Sequence, residues 1–286
     1  MKKLFIFCAA IVTAACERAN FEELESENQS KKFTFTVKGD FSNEWKPVTR
    51  GYLSADGREL TDVFVLDYVD GELVQQLHQS DNTSEDFGRP SMRLEIGSHH
   101  VYFVASRGVS PSLDTGTHTL AFERPSDTFW TDYAVEVVPT SNGNRAVTLN
   151  RVATRLRLTV SDEIPDGAVA FRLTPHKWFY GFDYITGRPV DEKVLQPYVI
   201  SIPADRIGSA GTTVSIFGLS SSEEWNSDFT LECVNSIGEV FGSVFIQDAP
   251  FRANRSTEYS GPLFNADEAM SLSLNTDWSD SYTGGW

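Results

Sequence analysis

The 286 residues are 40% hydrophobic and 12% aromatic, which is enough apolar material for a sizeable core and too much for a disordered acidic tail. A formal charge of −16 opposes the phosphates of nucleic acid and the headgroups of anionic membranes, so no nucleic-acid partner is expected. The length suits two domains of ordinary size.

In chain order, the N-terminus reads as an export signal. Lys2 and Lys3 supply a basic start, Leu4 to Val12 an apolar stretch too short to span a bilayer, and Thr13-Ala14-Ala15-Cys16 a small-residue end. The pattern resembles the lipobox of bacterial lipoproteins, in which the cysteine becomes the new N-terminus and carries acyl chains. Thr13 departs from it, since an aliphatic residue is usual there. An ordinary cleaved signal is the competing reading. Residues 1–15 are thus assigned to a signal peptide, Cys16 to lipidation, and residues 16–32, rich in glutamate, to a tether. Of three cysteines only Cys233 lies beyond the signal and its end, so no internal disulfide is expected. Its strand spacing with Phe229 and Leu231 makes Cys233 a core residue.

From residue 33 onward the period is two. Phe33, Phe35 and Val37 alternate with polar residues. The unbroken run Val63-Phe64-Val65-Leu66 suits a strand covered on both faces. Asp70-Gly71 and Asn142-Gly143 each predict a tight hairpin, and Ile237-Gly238 predicts a turn. Further alternation runs through Met92 to Val104, Tyr133 to Val137, Val169 to Leu173, Tyr198 to Ile202, Phe229 to Ile246 and Leu272 to Leu274. Only Asn265 to Met270 looks like a helical turn. The class expected is all-β.

Between residues 146 and 160 the alternation changes phase. Val147 and Leu149 occupy odd positions, whereas Val152, Leu156, Leu158 and Val160 occupy even ones. One surplus residue turns an apolar set to the other face of a strand, so a single strand cannot serve one core here. The expectation is one β domain over 33–149 and another over 150–286, meeting at the polar pair Asn150-Arg151.

Chemistry-bearing motifs are scarce. None of His78, His99, His100, His118 and His176 has metal-ligand spacing, and neighbours His99 and His100 point to opposite strand faces. No phosphate loop or nucleophile elbow is present. Asp114-Thr115-Gly116-Thr117 looks like an aspartic-protease loop, but that chemistry needs two carboxylates and the chain has one copy, so an Asp-initiated turn is expected. No enzyme activity, metal or cofactor is expected.

Four segments resemble the fimbrillin-type pilins of anaerobic Gram-negative bacteria. They are Thr49-Arg50 ahead of Leu60 to Asp67, Leu94 to Ala105, Val147 to Ala153, and Pro250 to Phe264 with its Asn254-Arg255 pair. Each motif is loose, and their order behind a lipoprotein-like signal carries the match. The resemblance implies two tandem transthyretin-like β-sandwich domains, an outer-membrane lipoprotein, and partnership with other fimbrial subunits. In the family's stalk subunits an Arg-specific protease removes the first strand, and a neighbour's donor strand fills the groove. Arg50 is the matching cut site, and a plain loop arginine is the other reading. An anchor subunit would keep its lipid and first strand. The tail from Ser271 to Trp286 is expected as a terminal or a donor strand.

A second function class is a surface carbohydrate-binding lipoprotein. Six tryptophans and nine tyrosines are available, with Trp178-Phe179-Tyr180 as the stacking candidate, although aromatic residues at strand spacing are more often core.

Overall fold

The computed structural model of the chain describes residues 30–40, 60–193, 197–265 and 271–275. The expected signal peptide, Cys16, the tether up to residue 29, Arg50, the helical turn after Asn265 and the tail after Asn275 lie outside the described residues.

In chain order the strands are β1 (Ser30–Gly39), β2 (Asp62–Val69), β3 (Glu72–Gln79), β4 (Ser91–Glu95), β5 (Gly97–Ser106), β6 (Ser112–Asp114), β7 (Thr119–Ala121), β8 (Thr128–Val137), β9 (Asn144–Arg151) and β10 (Ala153–Val160). They continue as β11 (Ala170–Pro175), β12 (Trp178–Asp183), β13 (Arg188–Lys193), β14 (Tyr198–Ser201), β15 (Thr212–Leu219), β16 (Trp225–Val234), β17 (Val240–Phe251), β18 (Ser256–Gly261) and β19 (Ser271–Asn275). The described residues hold no α-helix, only a 3-10 turn at Ala204–Arg206, so the chain is all-β.

Two sets of strands share one connectivity. In the first half β3-β2-β5-β8 form an antiparallel layer, and β1 lies between β9, to which it is parallel, and β4, to which it is antiparallel. In the second half β14-β11-β16-β17 form the antiparallel layer. There β10 lies between parallel β18 and antiparallel β15. The correspondence is strand for strand, without sequence repetition. β19 adds to the free edge of β18.

Each half closes a core from its two layers. Phe33, Phe35, Val37, Val63, Val65, Val101, Phe103, Phe129, Val147 and Leu149 fill the first. Leu156, Leu158, Val160, Phe171, Leu173, Trp178, Phe229, Leu231 and Cys233 fill the second. A third cluster sits at the seam: Phe64, Leu66, Tyr68, Tyr102 and Val104 meet Val152, Phe182, Tyr184 and Leu219, with Leu120 and Phe122. This explains the unbroken apolar run of β2. Val63 and Val65 face the first core, Phe64 and Leu66 face the seam, and the strand is buried on both sides.

The phase change does mark a change of core, with one refinement. Val147 and Leu149 face the first core and Leu156 to Val160 the second, but Val152 belongs to the seam. The seam also carries a sheet, β13-β12-β7-β6, in which β7 from the first half pairs with β12 from the second. The sequence did not announce those four strands, because they are short and interrupted by Gly181 and Pro189.

Of the turns, Asp70-Gly71 forms the predicted hairpin, with φ of 52° and 85°, the left-handed pair that this tight turn requires. The hairpin expected at Asn142-Gly143 opens instead. β8 and β9 pair only at Phe129–Arg151 and Trp130–Asn150, then separate into opposite layers, and β9 takes β1 as its partner. Val137 and Val147 thereby reach one core from two sides.

Candidate functional site

The first strand is the candidate site, because it is an inserted strand at the start of the described chain. β1 begins at Ser30, three residues ahead of the apolar alternation. Phe33, Phe35 and Val37 are fully buried, while the intervening Thr34 and Thr36 are only partly covered. Burial of three such side chains contributes ~1.5–3 kcal/mol each.

The backbone of β1 is held from both edges. On one side the strand pairs with β9 from Thr34–Asn144 to Gly39–Leu149, and the Asp40 N–H donates to the Leu149 carbonyl at 2.8 Å. On the other side β4 covers Ser30 to Thr34, after which Phe35 N–H donates to Pro90 O and Val37 N–H to Gly88 O, each at 2.9 Å. The slot is closest at Gly143, whose carbonyl accepts the Thr34 N–H at 2.6 Å. A Cβ on Gly143 would lie 1.8 Å from the Lys32 carbonyl oxygen, so only glycine permits this approach. The glycine that had suggested a hairpin therefore makes room for β1. The Arg145 guanidinium lies 5.2 Å from the centroid of the Phe33 ring and caps the outer end of the slot.

The junction expected at Asn150-Arg151 differs from a solvated polar link. Arg151 is 4% exposed. Its Nε and Nη2 donate to the two carboxylate oxygens of Asp127 at 2.7 and 3.2 Å, and its Nη1 donates to Asn254 Oδ1 at 3.1 Å. Asp127 also accepts from Arg107 at 3.0 Å. A buried guanidinium needs such partners, and their geometry here is a fork on a carboxylate. Asn254 has φ of 58°, which asparagine tolerates better than most residues, and its N–H donates to the Ala153 carbonyl at 2.8 Å. The Asn150-Arg151 and Asn254-Arg255 pairs thus meet in space at the seam. Tyr68 and Tyr184 share a hydrogen bond of 2.9 Å across the same seam, and burial pushes the Tyr184 phenol far above its usual value.

The remaining sequence candidates fall into structural roles. Asp114 Oδ1 accepts the N–H groups of Gly116 and Thr117 at 2.9 and 3.3 Å, closing the β6–β7 turn. Its hydrogen bonds with Thr117 and Gly116 hold the carboxyl below its ordinary value, as in a turn and unlike a proton-sharing dyad. His99 is buried on Asp67 at 2.8 Å while His100 is exposed beside Asp132, so neighbouring imidazoles do point to opposite faces. Burial raises the Asp67 carboxyl. His78 Nε2 lies 2.8 Å from Asp62 Oδ1, and Ser110 Oγ donates to that same oxygen, so the carboxylate separates serine from imidazole and no nucleophile is activated. Cys233 is fully buried, and burial pushes its thiol up to about 11, which suits a core residue. Trp178 and Tyr180 are buried and do not offer sugar-stacking faces; Trp178 Nε1 donates to the Phe217 carbonyl at 3.0 Å. No group of three or more His, Cys, Asp or Glu arranged for a metal ion occurs among the described residues.

No protein-family model matches the chain, and no curated protein matches it in sequence. Solved structures do resemble it. A Bacteroides ovatus protein named as a putative adhesin superposes with a TM-score of 0.50 at 12% identity, over 86% of this chain and 88% of that one. A second so-named adhesin, from Bacteroides thetaiotaomicron, gives 0.50 at 11% identity over 87% and 97%. The tip fimbrial protein Mfa3 from Porphyromonas gingivalis gives 0.45 at 14% identity, over 87% of this chain and 100% of the truncated protein. At such identities the likeness of the first two is one of fold, and that fold agrees with the resemblance read from the sequence.

Proposed function

We propose that the chain is a fimbrial subunit of the bacterial cell surface acting in assembly and adhesion, with two transthyretin-like sandwich domains over 33–149 and 150–286. The order of the fimbrillin-type motifs supports this reading, as does the fold shared with the Bacteroides proteins named as adhesins. In this reading Cys16 carries the lipid that holds the protein to the outer membrane, and the subunit ends the polymer at the membrane.

The observation that carries the reading is the seat of β1. An inner strand, with three fully buried apolar residues, precedes every other described element and reaches β2 only through residues 41–59, which contain Arg50. Cleavage there would release one strand and leave a slot between β4 and β9. An extended segment from another subunit fills such a slot by main-chain hydrogen bonds, with alternate side chains entering the core. An anchor keeps β1 and offers a partner another strand or edge.

Mass spectrometry of the mature protein purified from cells tests both ends of the proposal. A triacylated or diacylated N-terminus at Cys16 with β1 retained is the anchor outcome. An N-terminus at Gly51 assigns the subunit to the polymer instead. An unacylated start away from both positions would sink the fimbrial assignment of Cys16 and Arg50 together.

A further inference from the structure

A second site lies on the other half of the molecule, in a cavity of about 210 Å³ lined by Phe179, Arg188, Pro189, Ser221, Glu223, Glu224 and Trp225. We propose that it binds a single neutral sugar ring, stacked on Trp225 and hydrogen-bonded by Arg188, Glu223 and Glu224.

The platform is built before any ligand arrives. Trp225 is half-buried at the start of β16, and its indole Nε1 donates to Ser220 Oγ at 3.0 Å. Behind it the ring packs against Trp178 at 5.5 Å and Phe251 at 5.0 Å between centroids. Half-buried Phe179 meets it edge-on at 5.1 Å and 83°. The indole is therefore fixed in position, with Lys177 Nζ 6.0 Å from its centroid and 5.6 Å from that of Phe179, while part of Trp225 lines the cavity. Two aromatic groups at a concave opening, with their polar handle already satisfied, are suited to the C–H face of a pyranose.

The polar rim decides the charge of the ligand. Arg188 reaches Glu223 at 3.4 Å, Arg255 reaches Glu224 at 2.9 Å, and Lys177 reaches Glu192 at 3.8 Å. Of these groups Arg188, Glu223 and Glu224 line the cavity, and each already has an oppositely charged partner, so a charged ligand of either sign would have to compete with an existing ion pair. A neutral group that both donates and accepts meets no such opposition. Vicinal hydroxyls do this: a guanidinium has five donors and a carboxylate about four acceptor sites, so the Arg188–Glu223 pair keeps capacity for a ligand. The volume falls below the ~300–1,000 Å³ usual for drug-sized ligands, which limits the site to about one ring.

The site is independent of the β1 slot, so its failure would leave the fimbrial reading intact. The test uses the full chain with methyl pyranosides of glucose, galactose, mannose, fucose and N-acetylglucosamine at millimolar concentration, read by saturation-transfer NMR and tryptophan fluorescence. At least one should receive saturation at its ring C–H protons. Trp225→Ala should abolish that transfer. Because Trp225 packs into the core, the decisive variants are Arg188→Ala and Glu223→Ala, whose side chains are 65% and 74% exposed and whose loss should leave the thermal midpoint unchanged. Each should weaken binding at least tenfold. Absence of transfer from all five sugars overturns the proposal, and so does transfer that both variants leave unchanged.

Discussion

The strands β1 and β10 occupy equivalent places in two layers of equivalent connectivity, yet they are held differently. β1 buries one face only, through Phe33, Phe35 and Val37, and contacts the first core alone. β10 is buried on both faces over Ala153 to Leu156: Leu156 enters the second core, and the Arg155 guanidinium donates to Ser256 Oγ and Glu258 Oε1 at 3.0 and 3.4 Å. Thr154 Oγ1 donates to the Arg255 carbonyl at 3.1 Å, and Arg155 N–H donates to the same oxygen at 3.0 Å. β10 is also joined to β9 through Val152 alone, with Arg151 buried at that joint. One layout thus holds β1 by one buried face and the opening of β10 by two. The difference lies in what covers the second face.

Substitutions can break the comparison. The largest effect is expected at Phe35→Ala, where removal of a fully buried ring costs about 3–5 kcal/mol. A peptide spanning Ser30 to Asp40, added in excess, should recover part of that loss by competing for the slot. Denaturant midpoints with and without peptide give the answer, and a matching peptide of β10 should do nothing for Leu158→Ala.

Next comes Arg151→Ala, which leaves Asp127 with Arg107 as its charged partner and Asn254 without its donor. Breaking a buried pair costs about 3–5 kcal/mol, and the remaining Arg107 contact puts the expectation near the lower end. Calorimetry should resolve two unfolding transitions in the variant and a single, more coupled one in the parent chain. A single unsplit transition would mean that the seam's apolar cluster couples the halves without Arg151.

Gly143→Ala should cost about 2 kcal/mol, since the Cβ meets backbone rather than a movable side chain. The effect should vanish in a chain lacking residues 30–40, because the clash is with Lys32.

The smallest effect is a dependence on pH. Burial raises the Asp67 carboxyl above its ordinary 3.8, so the folded state holds that proton more tightly than the unfolded chain. The associated stability is fully present below about pH 4 and is lost as the pH rises through the folded-state value. Asp67→Asn does not titrate. The parent-minus-variant difference in denaturant midpoint should therefore fall from pH 3.5 upward and level off. A flat difference would show that His99 balances the burial of the carboxyl.

Much of this architecture was legible in residue order. The phase change after Leu149 reported the switch between cores, since strand geometry gives a one-residue slip no other outcome. The continuous run Val63 to Leu66 reported a strand covered twice, and Asp70-Gly71 specified its turn. What stayed hidden depends on distant partners. Asn142-Gly143 is a strong local hairpin signal, but the strand chosen by β9 lies over a hundred residues upstream in sequence, and local signals carry no information about it. Arg151 looked like a polar joint because Asp127 and Asn254 are far away in the chain. The cavity beside Trp225 had still less to show. Its walls come from β12, β13 and the loop before β16, and Ser221 to Trp225 alone reads as an ordinary polar turn.

The parallel pairings of β1 with β9 and β10 with β18 bear on mechanical load. A pull on the Ser30 end of β1, resisted at the Arg151 end of β9, drives two parallel strands in opposite directions along their length. Six register pairs then share the force and must yield together rather than one after another. β10 and β18 repeat the arrangement with six more when the chain is held beyond Gly261. Antiparallel hairpins such as β2–β3 would peel open bond by bond under tension at their free ends. The two halves thus place a shear-loaded clamp in each link of the molecule, oriented so that tension along the chain is met by the sheet's full width of bonds.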